Sequence, residues 1–179
     1  MLTYRFEKYL GGQFLGETLR LILLDLVEHN LLFGGQATDQ LRTVNSIKTS
    51  HISEIEGGEG SQATGRLIRD LGYQCASPDD LVTVQWATAR VSIRVASLLA
   101  AILTTLIRRM NRPRTVVAVD GSVYKKHPKM RLLMADFIRE LLASSNSGGS
   151  QQVELINAED GSGKGAGIAA ALASKLQLY

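Results

Sequence analysis

The stretch Thr115-Val116-Val117-Ala118-Val119-Asp120-Gly121-Ser122-Val123-Tyr124-Lys125-Lys126-His127-Pro128 decides the fold class of this chain. Residues 116–119 form an unbroken apolar run rich in β-branched side chains, which predicts a strand covered on both faces, as in an α/β sheet. Asp120-Gly121 predicts a tight turn that can offer bare N–H groups to a ligand. The residues after it predict a short return strand ending at Pro128. Taken alone, the pattern is more typical of an ordinary hairpin than of a ligand-binding turn.

The composition is that of a folded domain. A length of 179 residues allows about one domain with its own core, and 45% hydrophobic with 21% charged residues excludes a disordered chain. The net charge is +3, but the 20 Lys and Arg residues are dispersed and aromatic residues make up only 6%. We therefore expect no nucleic-acid partner, because neither a basic stripe nor a base-stacking platform is present.

Cysteine and histidine are too sparse for a disulfide framework or a zinc site. Cys75 is the single cysteine, and the three histidines are scattered, so we predict no metal ligands. Charges interrupt residues 1–8 before any apolar core forms, which argues against a signal peptide. No apolar run approaches the roughly 18 residues that a membrane span requires. A cytoplasmic protein without a membrane span is the expectation.

Apolar periodicity predicts several helices. One amphipathic helix runs to about Asn30, following the glycine pair Gly11-Gly12. Ser77-Pro78-Asp79-Asp80 predicts the start of the longest helix, because Ser can cap, Pro suits the first position and the acids complement the helix dipole. The helix is predicted to run to about Arg109. Its predicted apolar stripe consists of Leu81, Val84, Ala87, Val91, Val95, Leu98, Leu99, Ile102 and Leu106.

The order of elements after this helix predicts a parallel sheet. The strand and turn are followed by a helix over about residues 129–143, a Ser/Gly-rich loop at residues 144–150 and a second strand at residues 153–156. A final helix follows a glycine-rich stretch. This βαβα arrangement implies a parallel strand pair in an α/β layer.

Polar residues on the helices leave alternatives open. Arg90 and Arg94 lie one turn apart on the longest helix, where they form either a solvated basic face or a face directed at phosphate. His51 has no partner at helical spacing, so we expect it to be a surface residue or a hydrogen-bonded core residue.

The glycine-rich stretch near the C-terminus does not match a known nucleotide loop. With Gly163-Lys164 as its G-K pair, a Walker A loop would need glycine at Ala158 and a hydroxyl residue at Gly165. A dinucleotide fingerprint fails as well, because the acidic residue expected about 20 positions later has no room before Tyr179. The many small residues instead predict a helix packed closely against a neighbour.

Three separated stretches together resemble the eukaryotic hexokinase and glucokinase family. They are F-E-K-Y-L-G-G-Q-F-L-G-E-T-L-R-L-I-L at residues 6–23, V-A-V-D-G-S-V-Y-K-K-H-P at residues 117–128 and E-D-G-S-G-K-G-A at residues 159–166. They occur in the family's order and at about its spacing. The resemblance implies the ribonuclease-H-like, actin-type ATPase fold, an α/β fold represented here by a helix-rich part with a small, mainly parallel sheet.

The resemblance also implies roles for individual residues. It makes Glu7 a ligand of sugar hydroxyls, for which a carboxylate is suited because it accepts two hydrogen bonds. The remaining candidates fall on positions that line the nucleotide in the family: Gly12, Gln13, Ile93, Arg94, Ser97, Gly121, Ser122, Val123, Tyr124 and Lys125. Ile93 departs from the Thr of several members and removes a possible hydroxyl contact. The stretch at residues 159–166 resembles the family's second connecting segment, an interdomain packing helix.

Other parts of the family pattern have no counterpart in these residues. Nothing matches the family's catalytic Asp, its first phosphate loop or its main sugar-binding segments. The expectation is therefore a single C-terminal, large-lobe region over residues 1–179, without the N-terminal lobe and without a catalytic residue.

Two functions follow. The complete protein would use ATP and Mg²⁺ to phosphorylate a hexose such as glucose, in glycolysis, while the isolated chain would be inactive. The alternative is a truncated, non-catalytic module that binds adenine nucleotide weakly, or that binds the missing lobe or a protein partner through exposed apolar surface.

Overall fold

A computed structural model of the chain describes residues 7–144 and 151–175. The first part is helical throughout its regular elements: α1 (Glu7–Leu10), α2 (Gly12–Glu28), a 3-10 turn (Phe33–Gly35), α3 (Asp39–Arg42), α4 (Thr49–Ile55), α5 (Gly60–Asp70) and α6 (Pro78–Met110). The second part contains both strands: β1 (Arg114–Val119), α7 (Ser122–Lys126), α8 (Met130–Ala143), β2 (Gln152–Asn157) and α9 (Gly161–Lys175).

The longest helix, α6, begins and ends where its local sequence predicts. The hydroxyl of Ser77 accepts a hydrogen bond from the N–H of Asp80 at 3.1 Å, and the Asp80 carboxylate accepts one from the N–H of Ser77 at 2.8 Å. This reciprocal capping box satisfies N–H groups that the first helical turn leaves free. At the other end Asn111 takes a left-handed conformation with φ of 47° and stops the helix.

Helix α6 is the centre of the fold. Its most extensive contact is with α8, and it also contacts α1, α2, α4 and α5. Among the residues described, it is the one helix long and apolar enough, by length and composition, to cross a membrane, and 39% of the apolar window is buried within the chain. The sequence analysis expected no membrane span, whereas this helix is long and apolar enough for one. Its contacts with five other helices are nevertheless typical of a core helix.

The buried face of α6 follows the predicted apolar stripe only in its first half. Val84, Val91 and Val95 are buried as expected, whereas Leu98 and Leu106 are 37% and 52% exposed. In the second half, Ala100, Thr104 and Ile107 are buried instead. Small side chains at 100 and 104 allow close packing there, so the larger leucines are left on the open side.

The two strands form the predicted parallel pair. β1 and β2 are joined in register from Arg114 opposite Gln152 to Val119 opposite Asn157, with α7 and α8 as the crossover. The prediction that β1 is covered on both faces is wrong for the part of the chain described. Thr115 is buried, but Val116 is 50% exposed and Ile156 on β2 is 39% exposed, because helices cover one face only.

The predicted return strand after Gly121 is also wrong. Residues 122–126 form the short helix α7, and Gly121 has φ of 166°, an extended conformation that any residue adopts, so the predicted turn glycine is not required by backbone geometry. A short apolar run such as Val123-Tyr124 fits strand and helix equally well by pattern. The helix is favoured because it buries Tyr124 and aligns the N–H of His127 with the carbonyl of Val123 at 2.9 Å.

Helix α9 begins at Gly161, so the glycine-rich stretch is helical from that residue onward. The prediction of close packing is wrong within the described residues. A Cβ placed on Gly165 or Gly167 would meet no atom within 4 Å, and Ile168 and Leu172 are 62% and 54% exposed. The predicted helix of residues 129–143 matches α8, while most of the predicted Ser/Gly loop, residues 145–150, lies outside the residues described.

Candidate functional site

Two of the three candidate stretches meet where α7 packs on the start of α2. A Cβ placed on Gly12, the first residue of α2, would lie 2.5 Å from Cγ2 of Val123. The side chain of Val123 therefore occupies the space that any other residue at position 12 would need. Gly12 is required by this internal contact, and the two predicted residues lie side by side although 111 positions separate them in the sequence.

The candidate residues on α6, which lie outside the three stretches, reach the same region through Arg94. Its Nη1 donates a hydrogen bond to the carbonyl oxygen of Tyr9 on α1 at 3.0 Å. The guanidinium also lies 5.6 Å from the centroid of the Tyr9 ring, within cation–π range. Arg90 instead lies 5.4 Å from the ring of Trp86. Of the two arginines, Arg94 is thus the one that joins α6 to the N-terminal stretch.

The other α6 candidates are less accessible than Arg94, which is exposed. Ile93 and Ser97 are half-buried, one helical turn apart, and the hydroxyl of Ser97 donates to the carbonyl oxygen of Arg94 at 3.0 Å. The hydroxyl is thus engaged with its own helix.

Glu7 and Gln13 lie exposed at the start of this region. The amide Nε2 of Gln13 donates to Oε1 of Glu7 at 3.2 Å. A carboxylate has about four acceptor positions, so this bond leaves Glu7 able to accept further hydrogen bonds from hydroxyl groups. Both side chains are open to solvent.

The backbone at Gly121 faces open space. A Cβ added there would meet no atom within 4 Å, and the neighbouring Ser122 is exposed. Lys125 is engaged, since its Nζ donates to Oδ1 of Asp120 at 2.8 Å. The other oxygen of Asp120 accepts from the N–H of Gly161 at 3.2 Å, so this carboxylate joins the end of β1 to the start of α9.

Tyr124 differs from its neighbours in α7. Only 8% of its surface is exposed, and this burial raises the pKa of its phenol. Among the described residues its hydroxyl has no hydrogen-bond partner. Any ligand contact of this residue in the present arrangement would have to use its backbone, because its ring belongs to the core.

The comparison with known proteins decides the family. A family model described as Hexokinase matches residues 2–172. The chain belongs to the hexokinase family. Hexokinase-1 of Homo sapiens is 38% identical over 178 residues, and hexokinase-2 of Homo sapiens is 35% identical over 178 residues. Each match covers 96% of this chain and 19% of the relative, so the chain spans about a fifth of the length of these curated relatives.

Solved structures of hexokinases share the fold. A hexokinase from Schistosoma mansoni complexed with glucose matches with a TM-score of 0.77 and 34% identity, over 89% of this chain and 36% of that one. A second hexokinase structure matches with a TM-score of 0.71 and 26% identity, over 88% of this chain and 34% of that one. The predicted family and the actin-type ATPase fold, here helix-rich with a small parallel sheet, are confirmed.

An open cavity in this hexokinase-family chain lies away from the candidate residues. Its volume is about 450 Å³, and it is lined by the link between α4 and α5, by Gln85 and Ala89 of α6, and by Lys129. None of the predicted site residues lines it. Within the described part of the chain there is also no group of three or more His, Cys, Asp or Glu side chains that could hold a metal ion.

A buried polar cluster beside this cavity was not predicted from the sequence. His127 Nε2 lies 3.0 Å from Glu56 Oε2 and 3.0 Å from Ser92 Oγ, and the Ser92 hydroxyl donates to the same carboxylate oxygen. The three residues are at most 9% exposed. They come from the end of α4, from α6 and from the residue after α7. No local pattern links positions so far apart in sequence.

The hydrogen bonds of the cluster determine the tautomer of His127. The backbone N–H of Lys129 donates to His127 Nδ1 at 3.2 Å. Since Nδ1 is an acceptor there, the ring proton is on Nε2, from which it is donated to Glu56. Ser92 and Glu56 thus share one ring nitrogen. A nucleophilic triad needs the carboxylate on the other nitrogen, so the cluster is not a hydrolytic site.

The same contacts determine the charge of Glu56. Burial alone would raise the pKa of its carboxyl, but hydrogen bonds from His127 and Ser92, with the charge of Lys129 at 3.6 Å, outweigh burial and lower the pKa. The folded state therefore favours the ionised carboxylate.

This shift predicts acid sensitivity. A lowered folded-state pKa stabilises the fold above the unfolded-state pKa of about 4.3, and that contribution is lost as pH falls through the folded value. Below about pH 4.3 we expect the free energy of unfolding to fall more steeply in the native chain than in Glu56→Gln. Urea titrations at a series of pH values measure this. If the free energy of unfolding changed equally with pH in the two proteins, the assigned charge would be contradicted.

The previously predicted His51 has the expected structural role. It is half-buried, and its Nδ1 accepts a hydrogen bond from the N–H of Lys48 at 3.1 Å at the start of α4. The ring of this histidine thus accepts a hydrogen bond at the start of its own helix.

Proposed function

We propose that this chain carries one wall of the nucleotide site and one sugar-binding carboxylate of a hexokinase, an enzyme that transfers a phosphoryl group from ATP to a hexose such as glucose. The observation that carries the proposal is that two of the three stretches meet through Gly12 and Val123, and that Arg94 of α6 bonds to Tyr9 in the first of them. Membership of the hexokinase family supports the reaction class, and the related structure from Schistosoma mansoni is described as a complex with glucose.

The residues contribute in different ways. The exposed carboxylate of Glu7 would accept hydrogen bonds from neighbouring sugar hydroxyls, which fixes the orientation of the ring. The open space at Gly121 would allow the nucleotide to approach the backbone, with Gln13 and Ser122 exposed nearby in the candidate stretches. Lys125 would have to exchange its bond to Asp120 for one to phosphate. ATP supplies the transferred phosphoryl group, and Mg²⁺ neutralises its charge.

We assign to this chain the positioning of the substrates and assign no base within it. We assign Mg²⁺ no ligand here, and no residue in this chain is assigned to accept the proton of the reacting hydroxyl. Phosphoryl transfer depends on positioning and charge neutralisation, which one wall of a cleft does not complete. We also place the protein in the cytoplasm, since a single cysteine suits a reducing compartment.

The isolated 179-residue chain is expected to show no measurable glucose phosphorylation. A coupled assay of ADP release with Mg-ATP and glucose tests this, using a full-length hexokinase as the positive control. Turnover by the purified chain, above that of a Glu7→Ala variant, would contradict the proposal. If Glu7 contacts sugar, the same substitution in the complete enzyme should raise KM for glucose.

A second candidate is a non-catalytic nucleotide-binding or protein-interaction module. It is favoured by the apolar side chains that the described residues leave open on the sheet and on α9, including Val116, Ile156 and Ile168. The intact mass of the natural polypeptide distinguishes the two. A mass near 19.5 kDa supports the module, and a mass more than twice as large supports a complete hexokinase.

A further inference from the structure

The buried cluster of Glu56, Ser92 and His127 lies directly beside the segment proposed to contact nucleotide. His127 follows the last residue of α7, two positions after Lys125, and its N–H donates to the carbonyl oxygen of Val123 at 2.9 Å. Its ring is held by side chains from α4 and α6. The cluster therefore connects the end of α7 to the helical core.

Helix α7 cannot hold its place through its own hydrogen bonds. It has five residues, and helices this short are unstable without tertiary contacts. The contacts that fix it are Val123 on the bare backbone of Gly12, the buried ring of Tyr124, and His127 in the cluster. Of these, the cluster is the directional one, because its hydrogen bonds set both the position and the orientation of the chain leaving α7.

The Lys129 amide makes the cluster continuous with the next helix. It donates to His127 Nδ1, and Lys129 is the residue before α8. The buried ring is thus bonded on both sides, through Nε2 to Glu56 and Ser92 and through Nδ1 to the Lys129 amide. The ring therefore links the end of α7 both to the helical core and to the start of α8.

We propose that Glu56, Ser92 and His127 are positioning residues for the segment 121–125, and that their hydrogen bonds hold it in the conformation that binds nucleotide. The functional part of this inference rests on the proposed function, while the structural part does not. If the binding-competent arrangement falls to about a tenth of the population, apparent nucleotide affinity falls about tenfold.

The experiment compares three variants of the 179-residue chain. His127→Leu removes the donor to Glu56, His127→Gln keeps an N–H donor near the same position, and His51→Leu is the matched control. His51 also accepts a backbone N–H through Nδ1, but at the start of α4 and outside the cluster. Ser92→Ala is the reserve variant, since it removes one donor and keeps the ring.

Two measurements are made on each variant, well below its unfolding temperature. Hydrogen exchange followed by mass spectrometry reports the opening of residues 121–129, and calorimetry with ADP reports the dissociation constant. We expect His127→Leu to accelerate exchange at 121–129 selectively and to weaken ADP binding about tenfold. His127→Gln should recover most of both effects, and His51→Leu should change neither at this segment.

A merely structural role of the cluster gives a different result. His127→Leu would then lower the unfolding temperature while exchange at 121–129 rose no more than elsewhere, and this outcome overturns the inference. If His127→Leu does not fold, the same criterion is applied to Ser92→Ala.

Failure of the proposed function is recognised separately. If the native chain binds no ADP, the proposed nucleotide wall is wrong. Exchange at 121–129 still decides whether the cluster positions the segment.

Discussion

Replacing Gly16 by alanine is expected to lower the free energy of unfolding by about 3 kcal/mol, because the added methyl overpacks a site enclosed by backbone. A Cβ at this position would lie 2.2 Å from the carbonyl oxygen of Ile47 and 2.7 Å from the carbonyl carbon of Lys48. Backbone atoms cannot move aside as the tip of a flexible side chain can, so the segment before α4 has to shift. Urea unfolding followed by circular dichroism measures the loss.

The shift should also reach the candidate site. Thr49, the first residue of α4, donates through its hydroxyl to the carbonyl oxygen of Gly12 and accepts from the N–H of Gly16 at 3.3 Å. Moving the segment before Thr49 breaks this bridge at the turn of α2 on which Val123 packs. We therefore expect Gly16→Ala to weaken ADP binding as well as stability.

Gly65→Ala is the matched control for this variant. Gly65 lies within α5, and a Cβ there would meet only Nη1 of Arg69 at 3.6 Å, an ordinary contact. Alanine should stabilise this helix by up to about 1 kcal/mol, since glycine has the greater backbone entropy in the unfolded chain. If Gly16→Ala were as stable as the native chain, the close approach of Ile47 would be refuted.

The second large effect is expected at Gly121, where a substitution should weaken nucleotide binding without lowering stability. The position has an extended backbone and an added Cβ meets nothing within 4 Å, so Gly121→Val should leave the unfolding free energy nearly unchanged. If nucleotide occupies this open space, the valine side chain overlaps it. A clash of about 3 kcal/mol corresponds to about a hundredfold weaker binding. Calorimetry with ADP, together with thermal unfolding, measures both quantities.

Gly58→Val tests whether any valine on an open glycine has this effect. Gly58 also has no atom within 4 Å of an added Cβ, but it lies in the link between α4 and α5. We expect it to leave ADP affinity as it is. Native affinity in Gly121→Val would remove this residue from the proposed nucleotide wall.

Much of the helical framework could be predicted because its determinants are local. The capping residues Ser77 and Asp80 are close in sequence, and their side chains satisfy N–H groups of the same helical turn. The parallel strand pair followed from the order of elements, since a helical crossover between two strands leads to parallel pairing. The family resemblance likewise depended on contiguous stretches, which a sequence displays directly.

Which faces of the strands and helices are buried could not be predicted from local sequence in the same way. The apolar run of β1 predicted two covered faces, yet Val116 is exposed, because hydrophobicity indicates that burial is favourable and not which element provides it. The glycine-rich start of α9 predicted close packing, but Gly165 and Gly167 face open space within the described residues. Both errors arise from partners that a local pattern does not specify.

The sequence by itself determined the family, the principal helices and the parallel pair, because each depends on neighbouring residues or on a contiguous motif. Only the tertiary structure decided that Gly12 packs on Val123, that Arg94 holds Tyr9, and that Glu56, Ser92 and His127 meet in the core. These contacts join residues from 35 to more than 100 positions apart. Their formation depends on how the helices pack as a whole, since no local propensity brings such distant side chains together.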